Sequence, residues 1–141
     1  VKPAIFRAYP NENMGLTAIE VQNALARKSI CLIDARTPER FRGEVEPIDP
    51  IAGHIPGAVN RPFQLNLGNN GLFLSAEVLR NQFNLLFSNL NPQQVVHTCG
   101  SGMTACHNLL AMEVAGMAGS QLYPGSWSEW IRNKNRPVAT K

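Results

Sequence analysis

The sequence predicts one α/β domain with a parallel sheet. Short β-branched runs at residues 30–33, 58–60 and 95–96 alternate with longer stretches of helical period. The strand-like runs are apolar along their length, as in strands buried on both faces, and Gly, Pro and Asn separate them from the helices. At 141 residues, 44% hydrophobic and 16% charged, the chain has enough apolar material for a core, and a disordered class is excluded. The expectation is a central parallel sheet of about five strands with helices on both faces.

Residues 1–16, with Pro3, Pro10 and Gly15, show no period and read as an extended lead-in. Thr17 opens a capping box with Glu20, and Ile19, Val21, Ala24 and Leu25 supply the apolar positions of a helix ending near Lys28. The strand at 30–33 runs into Asp34, Ala35 and Arg36. Pro38 then starts one helical turn through Glu39, Arg40 and Phe41. Residues 43–57 form a long acidic, proline-bearing loop, followed by the short strand at 58–60 and a second loop at 61–74. Ser75 caps a helix whose Val78, Leu79, Phe83, Leu86 and Phe87 recur at helical spacing. Asn91 and Pro92 break the chain before the third strand. A helix from near Thr104 runs to Gly116 or Gly119, and a strand at 121–123 precedes Gly125. The last helix carries a capping box from Ser126 to Glu129, with Trp127 and Trp130 as packing residues.

Charge and cysteine usage narrow the function. The net charge is +3, and the basic residues are scattered rather than gathered into the stripe that nucleic acid needs. Nothing approaches the roughly 18 consecutive apolar residues of a membrane span. Cys31, Cys99 and Cys106 form neither a disulfide framework nor a zinc pattern, so a reducing, cytoplasmic setting is expected and no metal. Small anions are the expected partners.

The chemistry concentrates in residues 95–117, VVHTCGSGMTACHNLLAMEVAGM. A strand runs into a small-residue loop that opens with Cys99 and ends in a helix. Gly100, Ser101 and Gly102 leave the backbone free to aim N–H groups at one point above the sulfur, and the helix adds its positive end there. A helix N-terminus favours a cysteine's thiolate, the form that attacks. Buried packing at a strand end is the alternative reading for Cys99, but an inert cysteine needs no glycine-rich strand-loop-helix turn. Ligands bind outside the carboxyl ends of parallel strands, which puts Asp34 and Arg36 on the same edge. Arg40 lies one helical turn beyond Arg36, and either arginine could reach an anion over Cys99. His54 could be a base, a metal ligand or a turn-stabilising donor. With no second ligand at suitable spacing, the last reading is preferred. Cys106, farther along the helix, is expected to be structural or a secondary redox site.

The same segment, together with IDARTPERFRGEVEPIDPIAGHIPGAVN at 33–60 and LYPGSWSEWIRNKNRPVAT at 122–140, resembles the rhodanese-type sulfurtransferases. The CGSGxTA loop is most similar to their mercaptopyruvate variety. The resemblance implies a rhodanese-like fold and a persulfide on Cys99, with Ser101 assisting attack and Gly100, Gly102, Met103 and Thr104 completing the loop. It implies that Arg40 binds the donor anion, with Arg36 as second candidate, and that Asp34 and His54 support the site. It implies no cofactor; a small anionic donor, thiosulfate or 3-mercaptopyruvate; and a thiol, cyanide or thioredoxin-like acceptor. It further implies that 17–141 is the catalytic domain of a tandem protein about twice this length, the non-catalytic rhodanese domain lying upstream. One departure stands out: mercaptopyruvate enzymes carry a second arginine after the Glu-Pro pair, and Ile48 follows Glu46 and Pro47 here. Two other readings remain. A sulfur-relay or regulatory module would act on a protein partner. A Cys-loop phosphatase or arsenate reductase would need an arginine where Ala105 stands.

Overall fold

The computed structural model describes residues 4–9, 11–87 and 90–141; Pro3 and Pro10 of the expected lead-in lie outside them. Helix α1 (Ala18–Ala26) is followed by β1 (Cys31–Asp34), α2 (Pro38–Phe41), β2 (Val59–Asn60) and α3 (Ala76–Phe87). Strand β3 (Val95–Thr98), α4 (Met103–Val114), β4 (Gln121–Leu122) and α5 (Ser126–Trp130) complete the order. The strands pair in parallel in the order β2-β1-β3-β4, with Ile33 opposite both Val59 and His97, and His97 opposite Leu122.

Four strands form among the described residues, against the five or so expected. A fifth is reduced to one parallel bridge between Gly15 and Leu122, closed by the Leu16 amide on the Leu122 carbonyl at 2.8 Å. The pairing stops there because a 3₁₀ turn at Glu12–Met14 precedes it and the Thr17 cap of α1 follows within two residues. Both halves of the Thr17–Glu20 capping box are present. Helix α1 therefore starts where the sequence sets it.

Alternation along the buried strands splits the interior into two layers. Leu32 and Val96 face one side, with Val21, Ile55, Tyr123, Trp127 and Trp130. Ile33 and Val95 face the other, with Leu79, Phe83, Ala111 and Met112. The tryptophans are packing residues, their indole N–H groups donating to the carbonyls of Ile51 and Pro137. No helix among the described residues is long and apolar enough to cross a membrane.

His97 sits in the middle of β3, fully buried, and neither ring nitrogen has a partner among the described residues. Burial, and secondarily the nearby Arg61 charge, push its pKa down to about 3. The folded protein thus holds the ring neutral, whereas the unfolded chain protonates it near pH 6.5. Stability is full above that value and is lost as pH falls toward 3, with about 2 kcal/mol gone at pH 5. Urea midpoints at pH 7 and pH 5 check this: His97→Met should flatten the slope, and an unchanged slope would clear His97 of the effect.

Candidate active site

The chain leaves β1 toward the layer containing Ile55 and leaves β3 through α4 into the opposite layer. The two exits diverge at neighbouring strands and open a crevice at their carboxyl ends, where ligands bind in such sheets. Residues after β1 supply Arg40, Ile48 and Asp49 to this crevice; residues after β3 supply Cys99, Gly100, Ser101, Met103 and Thr104; and Ser128 comes from α5. Together they line a cavity of about 230 Å³.

Cys99 is 2% exposed, and its Sγ accepts a hydrogen bond from the Gly102 amide at 3.1 Å. Gly102 adopts φ +85°, and a Cβ there would lie 2.6 Å from the Pro124 carbonyl oxygen, so only glycine fits the turn. Helix α4 begins at Met103, one residue earlier than the sequence suggests, with Gly102 as its cap. Thr104 is therefore inside the first turn and half-buried, and Ser101 and Met103 are exposed at the mouth. The first amides of α4 have no partner within the helix and remain available to an anion beside the sulfur.

The loop is clamped from behind by the turn at Gly125. The Ser126 hydroxyl accepts from the Cys99 amide at 3.1 Å and donates to the Tyr123 carbonyl at 2.9 Å. The amides of Trp127 and Ser128 bond the carbonyls of Cys99 and Gly100 at 3.0 and 2.9 Å. These bonds replace the expected Ser126–Glu129 capping box: the hydroxyl is spent on the cysteine loop, and Ser126 sits at φ +52°, outside the geometry of a cap. Ser126 and Ser128 are thus positioning residues that periodicity alone does not find. The Gly-Ser dipeptide after the last strand was the available signal.

Behind the cavity lies an ion cluster. Asp34 accepts from Arg36 at its amide, Nε and Nη2, the last at 2.7 Å. Arg36 also reaches the Gly53 carbonyl and Glu46, and its guanidinium lies over the Trp127 ring. At 3% exposure it does not reach the cavity wall, which corrects its expected place beside the donor: β1 and Asp34 hold it inside. Arg40 does reach the cavity. A Cβ on Gly100 would lie 3.5 Å from its Nη2, so the guanidinium rests directly against the cysteine loop. Glu46 holds Arg40 by Nε at 3.2 Å and Nη2 at 2.5 Å, which leaves Nη1 without a partner among the described residues. Burial opposes ionisation of Glu46, but Arg40 and the amides of Asp49 and Ile48 together keep its carboxyl below the usual range.

Two further residues take scaffold positions. His54 stacks on Phe41 at 3.8 Å, its Nδ1 lies 2.7 Å from the Phe41 carbonyl, and its backbone pairs with Ala139. Cys106 is exposed on the first full turn of α4, and its thiol donates to the Gly102 carbonyl.

The match to known proteins agrees with this geometry. The family model described as the rhodanese-like domain covers residues 17–133. The chain belongs to the rhodanese-like domain family. Rhodanese-like relatives include the Pseudomonas aeruginosa protein named probable 3-mercaptopyruvate sulfurtransferase, 48% identical over 99% of this chain and 49% of that protein. The human 3-mercaptopyruvate sulfurtransferase is 41% identical over 91% of this chain and 43% of its own length. The chain spans about half the length of the curated relatives it matches. Among solved structures, the Tum1 protein of Saccharomyces cerevisiae superposes with a TM-score of 0.77 at 26% identity, over 92% of this chain and 47% of Tum1.

Proposed function

We propose that this rhodanese-like domain is a sulfurtransferase working through a persulfide on Cys99. The observation that carries the reading is the cysteine itself: its sulfur is met by the Gly102 amide at the start of α4 and opens on a cavity that Arg40 also lines. The Cys99 thiolate attacks the outer sulfur of the donor. With thiosulfate the S–S bond breaks and its electron pair leaves on sulfite. With 3-mercaptopyruvate the C–S bond breaks and the pair leaves as the pyruvate enolate, which then takes a proton. The persulfide is held by the loop amides until a thiol, cyanide or thioredoxin-like acceptor attacks its outer sulfur and returns Cys99 to thiolate. Ser101 and Thr104 lie at the cavity to hydrogen-bond the donor, Met103 shields its mouth, and no step calls for a metal or cofactor. The surroundings support this over a Cys-loop phosphatase, since the position of the oxyanion-clamping arginine is the buried Ala105.

On this reading residues 17–141 are the catalytic unit of a cytoplasmic protein, and a second rhodanese-like domain covers the cavity mouth. The exposed Ile48 and Met103 offer it an apolar rim. Intact-mass measurement after separate incubation with thiosulfate and with 3-mercaptopyruvate tests the activity: one added sulfur atom is expected, and no addition from either donor would overturn it.

Arg40 is the donor's anchor, using the nitrogen that Glu46 leaves free. Arg40→Ala should raise the donor KM by about ten- to a hundredfold with a smaller change in kcat. Arg40→Lys should recover little, because one ammonium cannot serve Glu46 and the donor in a fixed fork. Steady-state kinetics decide this, and an unchanged KM would remove Arg40 from donor binding.

A further inference from the structure

Asp49 is the second charged residue on the cavity wall, and nothing above gives it a task. Its side chain is nine-tenths buried, and Oδ2 has no hydrogen-bond partner among the described residues. The nearest cation, Arg40 Nη2, is 3.8 Å away, too far for a hydrogen bond, and is already held by Glu46 at 2.5 Å. A buried carboxylate oxygen left in this state keeps its negative charge with no hydrogen bond to spread it.

The charge balance points the same way. Two guanidinium groups, Arg36 and Arg40, face three carboxylates, Asp34, Glu46 and Asp49, so the cluster carries a net negative charge before the Cys99 thiolate is counted. The positive end of α4 and Arg40 Nη1 suffice for one anionic group on the donor. A second negative charge in the same small cavity meets the Asp49 carboxylate.

We propose that Asp49 sets donor specificity, selecting a singly charged donor whose sulfur carries a proton and rejecting dianions. This rests on the sulfur-transfer reading above and names the donor class that reading leaves open. A mercapto-carboxylate fits both conditions: its carboxylate goes to Arg40 and its S–H meets the exposed tenth of the Asp49 side chain. Thiosulfate fails both, with two negative charges and no proton. Rejection by a carboxylate whose charge Arg40 only partly offsets discriminates against a dianion in particular. Ile48, adjacent in the loop, adds no positive charge to offset Asp49, so the choice falls to the carboxylate.

The test is the ratio of kcat/KM for 3-mercaptopyruvate to that for thiosulfate, measured on the chain and on two variants, with loading of Cys99 followed by intact mass. Asp49→Asn keeps the shape and removes the charge, and the ratio should shift toward thiosulfate by about tenfold or more. Asp49→Glu keeps the charge and should hold the ratio near its starting value. Because each protein is judged by two donors against one another, a loss of folded material cancels. Loading by both donors with a ratio unmoved in Asp49→Asn would overturn the role of Asp49 alone; loading by neither donor in the unmodified chain would overturn the sulfur-transfer reading and this one with it.

Discussion

Cys99→Ser should take up no sulfur from any donor and should lower transfer by about a thousandfold or more, because serine is a far weaker nucleophile at neutral pH and an oxygen there cannot form a persulfide. The loop itself should survive. Serine is nearly the same size, the Gly102 amide can donate to its Oγ, and the clamps from Ser126, Trp127 and Ser128 act on backbone groups of the loop. The loss would therefore be chemical rather than structural, and an unchanged unfolding midpoint beside it would establish that. Cys31→Ser and Cys106→Ser separate the three thiols. Cys31 is half-buried against the α3 and α4 layer, where burial raises its thiol pKa and leaves it less reactive. Cys106 is exposed but does not line the cavity. Both variants should still gain one sulfur per chain, and a sulfur retained by Cys99→Ser would move the reaction to another residue.

The largest stability effect is expected at Arg36. Arg36→Ala removes the group that satisfies Asp34 and shares Glu46, leaving two carboxylates buried with too little positive charge around them. Breaking such a cluster from one side costs about 3–5 kcal/mol, a large part of the 5–15 kcal/mol that ordinarily holds a domain folded. The contact with the Trp127 face goes as well. Urea denaturation should show the midpoint falling sharply without a comparable change in slope. Arg40→Ala, at a more exposed position, should move the midpoint much less and the donor KM much more. If Arg36→Ala left the midpoint in place and raised the KM instead, the two arginines would have to exchange roles.

The helices were legible in advance because their signals are local. The Thr17–Glu20 box and Pro38 at the first position of α2 stand where the sequence puts them, since a cap involves residues three or four apart and needs no distant partner. The aromatic pair Phe83 and Phe87 was assignable to the core for the same reason, being one turn apart on an amphipathic face. The sheet was readable in kind but not in extent. β-branched runs mark the buried strands, yet whether Gly15 starts a fifth strand or makes a single bridge depends on backbone groups of Leu122, more than a hundred residues away.

The site divides along the same line. Sequence alone determined the cysteine loop, because a cysteine, three small residues and a helix start are contiguous and the chemistry proposed for them follows from that order. Tertiary structure decided which arginine faces the cavity. Arg36 and Arg40 are indistinguishable by spacing, and the choice rests on where Asp34 and Glu46 hold their guanidinium groups. It also took Ser126 from the cap to the back of the cysteine loop, exposed Cys106, and left Asp49, on the cavity wall, with a buried oxygen that has no partner among the described residues. Each of these outcomes depends on partners far apart in the chain. Burial and pairing depend on which charges and hydrogen-bonding groups the fold brings together, and nothing local to a residue specifies its distant neighbours.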